Sequence, residues 1–220
     1  MKKDNMIKDA IILCVITLIL GAVLAGVYAI TKDRIDTQQA EANNKACEAV
    51  VADGDSVQPA DSGKLAAAQE YLKSHDLSNV EGVAEEDSLI KHVEISEVHP
   101  TQKGGVVYLA TAKKGYGGDI GFALGVTVGE DGTPVLTGIS ITSQAETAGL
   151  GANCENEDWQ NSFKGKKLPE SASDNMYNKT QESETQVQAL SGATVTSRAI
   201  TNAVKGILFV ASSEGGAVNE

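Results

Sequence analysis

The sequence predicts an α+β protein: a single N-terminal transmembrane helix, then one domain in which helices flank a twisted antiparallel sheet. Three observations carry this reading. From Ile11 to Ile30 the chain is almost uninterruptedly apolar. Between Ile90 and Ile141, four β-rich runs follow one another with connections too short for anything but antiparallel neighbours. From Arg198 to Ser212, Ala199, Ile200, Ala203, Val204, Ile207, Leu208 and Ala211 recur with the period of an amphipathic helix.

The elements follow in order. Residues 1–10 form a short polar N-terminus, and residues 11–30 are long enough to cross a bilayer as a helix. A cleaved signal peptide has an apolar region of only about 7–15 residues, so this run reads as a retained anchor. Lys2, Lys3 and Lys8 precede the span and Lys32 and Arg34 follow it, a small positive excess that places the N-terminus in the cytoplasm and the remainder outside. Residues 31–63 read as a juxtamembrane helix and linker: Ile35, Ala40, Ala42, Ala46 and Ala49 suit a helix that continues outward, and Ala52–Gly63 is rich in Asp, Gly, Pro and Ser. Residues 64–212 are the extracytoplasmic domain, and 213–220 a tail.

Within the domain, a short helix is expected at Lys64–Lys73, capped by Asp61 or Ser62. The strands are Ile90–Val98, Val106–Ala112, Ile120–Val128 and Pro134–Ile141, with turns at Gly115–Gly118 and Glu130–Gly132. Ala152–Thr180 is polar and irregular, with Trp159 and Phe163 spaced to pin a short helix; Gln186–Leu190 is a further strand. Ser197 or Thr196 is the natural cap of the last helix.

Composition excludes some functions. A net charge of −12 with no basic run argues against nucleic acid, which needs concentrated Lys and Arg. His75, His92 and His99 show no metal-ligand spacing, and His92 and His99 are expected on opposite sides of their strand. Cys47 and Cys154 lack a CxxC partner; either a disulfide between them or two free thiols is compatible with the sequence. No catalytic triad or base is evident.

The chemistry is concentrated in Leu190–Ser197. Here Ser191, Gly192, Ala193, Thr194, Val195 and Thr196 lead from a strand into a helix. Small residues let a bulky group approach the backbone, and a phosphate at a helix start meets both N–H donors and the positive end of the helix dipole. Taken alone, such a segment is also an ordinary Ser/Thr-rich capped turn.

The run Ser191-Gly192-Ala193-Thr194, followed by Val195-Thr196-Ser197, resembles the flavinylation motif of the RnfG family, the G subunits of Rnf electron-transport complexes. The C subunits of sodium-pumping NADH:quinone reductases share that motif. Glu146-Thr147-Ala148-Gly149-Leu150-Gly151 is similar to the family's ETPGLG loop, with Ala148 where the family usually has Pro. The resemblance runs from the anchor to the last helix. It implies covalent FMN, joined through its phosphate to Thr194 by a separate flavin transferase. The recognition pattern of that transferase usually has Asp six residues before the threonine, a position held here by Gln188. Ser191, Gly192, Ala193, Val195 and Thr196 would surround the attachment point. Glu146, Thr147, Gly149, Leu150 and Gly151 would lie against the isoalloxazine ring, with Glu146 and Thr147 giving polar contacts.

The resemblance further implies an electron-carrying component of an ion-translocating ferredoxin:NAD+ oxidoreductase, assembled with the A, B, C, D and E subunits of Rnf in the cell membrane. No independent catalytic site is expected. The alternatives are the C component of the quinone reductase, a free-standing membrane-anchored extracytoplasmic flavoprotein, and a scaffold without redox function.

Overall fold

The computed structural model describes residues 3–74, 91–129, 132–169 and 174–213. His75, Ile90, the Glu130-Asp131 part of the expected turn, and all but the first residue of the 213–220 tail lie outside the described residues. The chain divides into two units, Met1–Ala42 and Asn43–Glu220.

The first unit is helical. Helix α1 runs Lys3–Ala49 and so extends into the second unit. It is long and apolar enough to cross a membrane. Leu18, Leu24 and Ile30 are 72%, 70% and 82% exposed, which in water would leave a large apolar surface uncovered. Thr17 folds its hydroxyl back onto the carbonyls of Leu13 and Cys14, so its polarity is satisfied within the helix.

In the second unit, α2 (Ser62–Ser74) starts where Asp61 Oδ1 accepts from the N–H groups of Gly63 and Lys64 at 2.8 and 3.1 Å. Strands β1 (Val93–Pro100), β2 (Val106–Ala112), β3 (Ile120–Val128) and β4 (Pro134–Ser143) form an antiparallel sheet in sequence order. A 3-10 turn at Gly151–Glu155 precedes α3 (Glu157–Asn161). The two-residue strands β5 (Tyr177–Asn178) and β6 (Val187–Gln188) pair in parallel. Helix α4 (Thr194–Ser212) ends the described fold.

Strand alternation decides which residues meet which layer. On one face of the sheet, Ile95, Tyr108, Phe122, Leu124 and Leu136 pack with Ile200, Val204, Ile207 and Leu208 of α4. On the other face, Val107, Leu109 and Ala123 pack with Ala46, Cys47 and Val50. Strand β2 is therefore buried on both faces, which explains its unbroken apolar run.

Three sequence expectations change here. The compact unit begins at Asn43, so part of the segment read as juxtamembrane helix and linker belongs to the domain. Within Ala52–Gly63, the Gln58 N–H donates to the Pro100 carbonyl and the Asp61 N–H to that of Val98, both at 2.8 Å, making an ordered edge along β1 instead of a loose linker. Cys47 and Cys154 belong to clusters on opposite faces of the sheet and are free thiols. His92 and His99 are both buried, and a register shift between Ile95 and Glu97 breaks the strict alternation on which opposite facing was argued.

Candidate functional site

Three short segments converge beside the start of α4. The first follows β4. The Glu146 N–H donates to Gln144 Oε1 at 2.6 Å, and a turn follows in which the N–H groups of Leu150 and Ala152 both reach the Thr147 carbonyl. Gly149 sits at φ +77°, a left-handed conformation that L side chains resist. Gly151 is buried, and a Cβ there would overlap Glu146 Oε2.

The second segment is the hairpin Gly115-Tyr116-Gly117-Gly118. Gly117 lies so close to the loop that a Cβ would overlap the Ala145 carbonyl. Its N–H donates to Glu146 Oε1 at 2.9 Å.

The third segment is Leu190–Ser197. Gly192 turns the chain at φ +72°, and the Ala193 N–H donates to the Leu190 carbonyl at 3.1 Å. The sequence places Thr196 or Ser197 as the helix cap, but α4 already begins at Thr194. The two hydroxyls are used differently. Ser197 Oγ accepts from the Leu190 N–H at 2.9 Å and donates to the Ala193 carbonyl at 3.0 Å, closing the turn before the helix. Thr196 Oγ1 donates to Glu146 Oε2 at 2.6 Å. Ala193 occupies the cap position and offers no side-chain acceptor, so the first-turn N–H groups remain available to a ligand.

The three segments enclose an open cleft of about 440 Å³, lined by Tyr116, Glu146, Thr147, Leu150, Gly151, Gly192, Ala193, Thr194, Val195 and Thr196. Of the residues expected from the sequence, all but Ser191 and Gly149 line it. Ser191 is exposed on the turn outside the lining, and Gly149 shapes the loop without facing the cleft. Tyr116 is an addition. The only signal for it in the sequence was an aromatic residue set among three glycines. Glu146 has a further part: each of its carboxylate oxygens accepts a hydrogen bond from the protein, so it ties two segments together as well as lining the cleft.

The cleft has two chemical ends. Outside α1, the large hydrophobic side chains left exposed among the described residues are Tyr116, Leu150 and Val195, at 74%, 43% and 45%, and all three line this cleft. They present an apolar surface suited to a flat ring. At the other end, the open N–H groups and positive dipole of a 19-residue helix favour an anion. Among the hydroxyls nearby, those of Thr196 and Ser197 are buried and committed, whereas Thr194 is half-buried and faces the cleft.

An apolar helix followed in the chain by a sheet domain, whose cleft has an apolar surface suited to a flat ring and an uncapped helix start suited to a phosphate, fits a flavin-mononucleotide-binding protein. Residues 115–208 match the FMN-binding domain family, and residues 1–50 match the RnfG N-terminal region. Over 201 residues the chain is 30% identical to the G subunit of the Na+-translocating ferredoxin:NAD+ oxidoreductase complex of Acetobacterium woodii, spanning 90% of this chain and 87% of that protein. The chain belongs to the RnfG family, the G subunits of ion-translocating ferredoxin:NAD+ oxidoreductase complexes. A second relative, the G subunit of the proton-translocating complex of Clostridium ljungdahlii, is 38% identical over 110 residues, or 49% of this chain and 55% of that one. The crystal structure of Shewanella oneidensis NqrC aligns over 56% of this chain and 60% of that one, with 21% identity and a TM-score of 0.42.

Proposed function

We propose that this protein is the electron-carrying component of a membrane-bound, ion-translocating ferredoxin:NAD+ oxidoreductase complex, with FMN joined through its phosphate to Thr194 Oγ. The observation that carries the reading is the concentration of exposed apolar side chains (Tyr116, Leu150 and Val195) at the same cleft as the uncapped start of α4. When bound, FMN supplies one-electron transfer through its ring system.

The chain's own residues hold and enclose that group. Thr194 provides the attachment oxygen. The N–H groups of the first turn of α4 donate to phosphate oxygens, and Gly192 keeps the approach clear. Leu150, Val195 and Tyr116 supply the apolar faces, and Thr147 a hydroxyl at the rim. Attachment requires no base from this chain if a separate flavin transferase performs it. The Thr194 hydroxyl loses its proton and Oγ forms the new P–O bond. A phosphoanhydride bond in the activated flavin donor breaks, its other phosphate leaves with the proton, and no redox change occurs.

The partners are then the A, B, C, D and E subunits of Rnf, together with the flavin transferase. Residues 11–30 span the cell membrane, with the N-terminus cytoplasmic and the FMN domain extracytoplasmic, as the Lys2, Lys3 and Lys8 excess favours. A match to the C subunit of the Na+-translocating NADH-quinone reductase of Haemophilus ducreyi covers only 32% of this chain and 29% of that one, so the ferredoxin-linked reading is the better supported.

The test is mass spectrometry of the full chain coexpressed with its flavin transferase. The peptide containing Thr194 should carry one FMN phosphoryl group, and Thr194→Val should carry none. An unmodified Thr194 peptide in fully matured protein would overturn the attachment. Protease added outside cells stripped of any outer barrier should digest the domain; protection would overturn the orientation.

A further inference from the structure

Glu146 is a buried carboxylate in a site where neither flavin attachment nor electron transfer requires one. Its two oxygens reach two different segments: Oε1 accepts from the Gly117 N–H at 2.9 Å and Oε2 from the Thr196 hydroxyl at 2.6 Å. The surroundings are carved to receive it. A Cβ on Gly115 would stand 2.7 Å from Oε1, and one on Gly151 would overlap Oε2 and stand 2.6 Å from Thr196 Oγ1. Three glycines around one carboxylate, counting Gly117, leave it a slot with little freedom.

We infer that Glu146 is a positioning residue that closes the cleft from within, tying the hairpin that carries Tyr116 to the helix turn that carries Thr194. Tyr116 is 74% exposed, so its own packing does not fix the hairpin. The Glu146–Gly117 bond anchors the residue next to it. The Glu146–Thr196 bond sets the distance from that hairpin to α4. The apolar wall and the attachment oxygen are thus placed relative to each other before a flavin arrives, which lowers the ordering cost of binding one. The same carboxylate lines the cleft between the hairpin of Tyr116 and the first turn of α4, and a negative charge there disfavours the further negative charge that reduction of a bound ring brings. That second consequence rests on the flavin reading of the cleft; the tie does not.

Three variants of the full chain in detergent separate the two roles. In Glu146→Gln, the amide oxygen can accept from Gly117 and the amide nitrogen can donate to Thr196 Oγ1, so the tie is kept and the charge removed. In Glu146→Ala both are lost. Thr194→Val provides flavin-free protein in which the tie is read by itself. With Glu146 intact, the Gly117 amide should exchange slowly even in Thr194→Val. Adding Glu146→Ala to that background should speed its exchange by roughly tenfold or more, and Glu146→Gln should restore most of the protection. In flavin-loaded protein, Glu146→Gln should raise the flavin midpoint potential while leaving the Thr194 peptide mass unchanged.

Unchanged Gly117 exchange in Glu146→Ala, or equal loss in Glu146→Gln and Glu146→Ala, would overturn the tie. An unchanged or lowered potential in Glu146→Gln would overturn the charge effect. Should Glu146→Ala fail to fold, Glu146→Gln still decides through its potential and its Gly117 exchange. An unflavinylated Thr194 peptide in otherwise intact protein would sink the flavin reading, and the exchange experiment would still stand.

Discussion

Trp159 donates its indole N–H to the main-chain carbonyl of Gln188 across 2.9 Å. The same indole meets the buried ring of Phe163 edge to face, with centroids 4.9 Å apart. Helix α3 is thereby fastened to β6, the short strand that leads into the turn before Thr194. Replacing Trp159 with Phe removes the hydrogen bond and leaves the Gln188 carbonyl without that donor, at a cost of about 1 kcal/mol. The melting temperature of the full chain in detergent should fall. If a flavin transferase reads the Gln188 strand, as proposed, flavin incorporation at short coexpression times should fall too, because β6 is less firmly held. A lower melting temperature with wild-type incorporation would show that the transferase does not depend on this strand's placement.

Gln188 itself behaves differently. Val187 points into the core and the Gln188 side chain is exposed, as alternation along a strand requires. An exposed surface side chain can change with little effect on stability, within roughly 0.5 kcal/mol. On the proposed reading, in which a flavin transferase modifies Thr194, Gln188→Asp supplies the carboxylate that its recognition pattern usually has. It should raise the fraction of flavinylated protein at early times, read as the ratio of modified to unmodified mass, while the melting temperature stays put. No gain in incorporation would mean that the amide already serves as well as the acid.

The main strands and the long helices were legible because their periods of 2 and 3.6 recur over many residues. The start of α4 was not. Thr196 and Ser197 read as caps, but Ala193 holds the cap position, the Ser197 hydroxyl bonds back to the Ala193 carbonyl and Thr196 finds Glu146, 50 residues away in sequence. The same holds for the segment after Ala42. Ala46, Cys47 and Val50 are few and mostly small, and read alone they suit a juxtamembrane helix. Their burial depends on the far face of the sheet being smooth, a property of Gly125 and Gly138. The Glu146 loop was visible as a motif, but its two bonds were not, since nothing local indicates that Gly117 lies opposite.

Gly125 supplies the sharpest test of that docked segment. A Cβ at this position would overlap the Val50 carbonyl oxygen, which already accepts a hydrogen bond from the Thr137 hydroxyl. The clash is with backbone on one side and cannot be relieved by a rotamer change. Gly125→Ala should therefore cost about 1–3 kcal/mol. It should also expose Cys47, so that a thiol reagent modifies it in native protein. Gly104 faces open space, yet its φ of +88° makes Gly104→Ala strained at the backbone alone, without uncovering Cys47. Comparable Cys47 labelling in both variants would show that the segment is not seated through Gly125.

The two thiols also predict a pH response. Burial, aided by Glu97 and Glu48, pushes Cys47 up to about 11. Burial, aided by Glu155 and Glu146, pushes Cys154 up to about 12. In the unfolded chain a thiol ionises near its ordinary value of 9.0. The folded state therefore holds these protons more tightly, and its contribution to stability is intact below pH 9 and lost as pH rises toward 11 to 12. Denaturation midpoints should be flat from about pH 7 to pH 8.5 and then fall, and Cys154→Ala should flatten part of that fall. Alkylation at about pH 8, mapped by peptide, should leave Cys47 and Cys154 unmodified until denaturant is added. Ready labelling of Cys154 in the native protein would contradict its burial.

Leu150 tests the apolar wall. It is exposed on its loop, and its Cδ2 lies where a Cβ on Gly192 would stand 3.0 Å away, so it spans the gap between the loop and the attachment turn. Leu150→Ser removes apolar area that would cover one face of the ring, a loss of about 1–2 kcal/mol of contact. Because the flavin is held covalently at Thr194 in the proposed reading, that loss should not appear in the amount bound. It should appear as greater solvent access: collisional quenching of flavin fluorescence by iodide should rise in Leu150→Ser, with the Thr194 peptide still carrying its full mass. A quenching constant equal to that of the wild type would place the ring elsewhere in the cleft, against Val195 or Tyr116 alone.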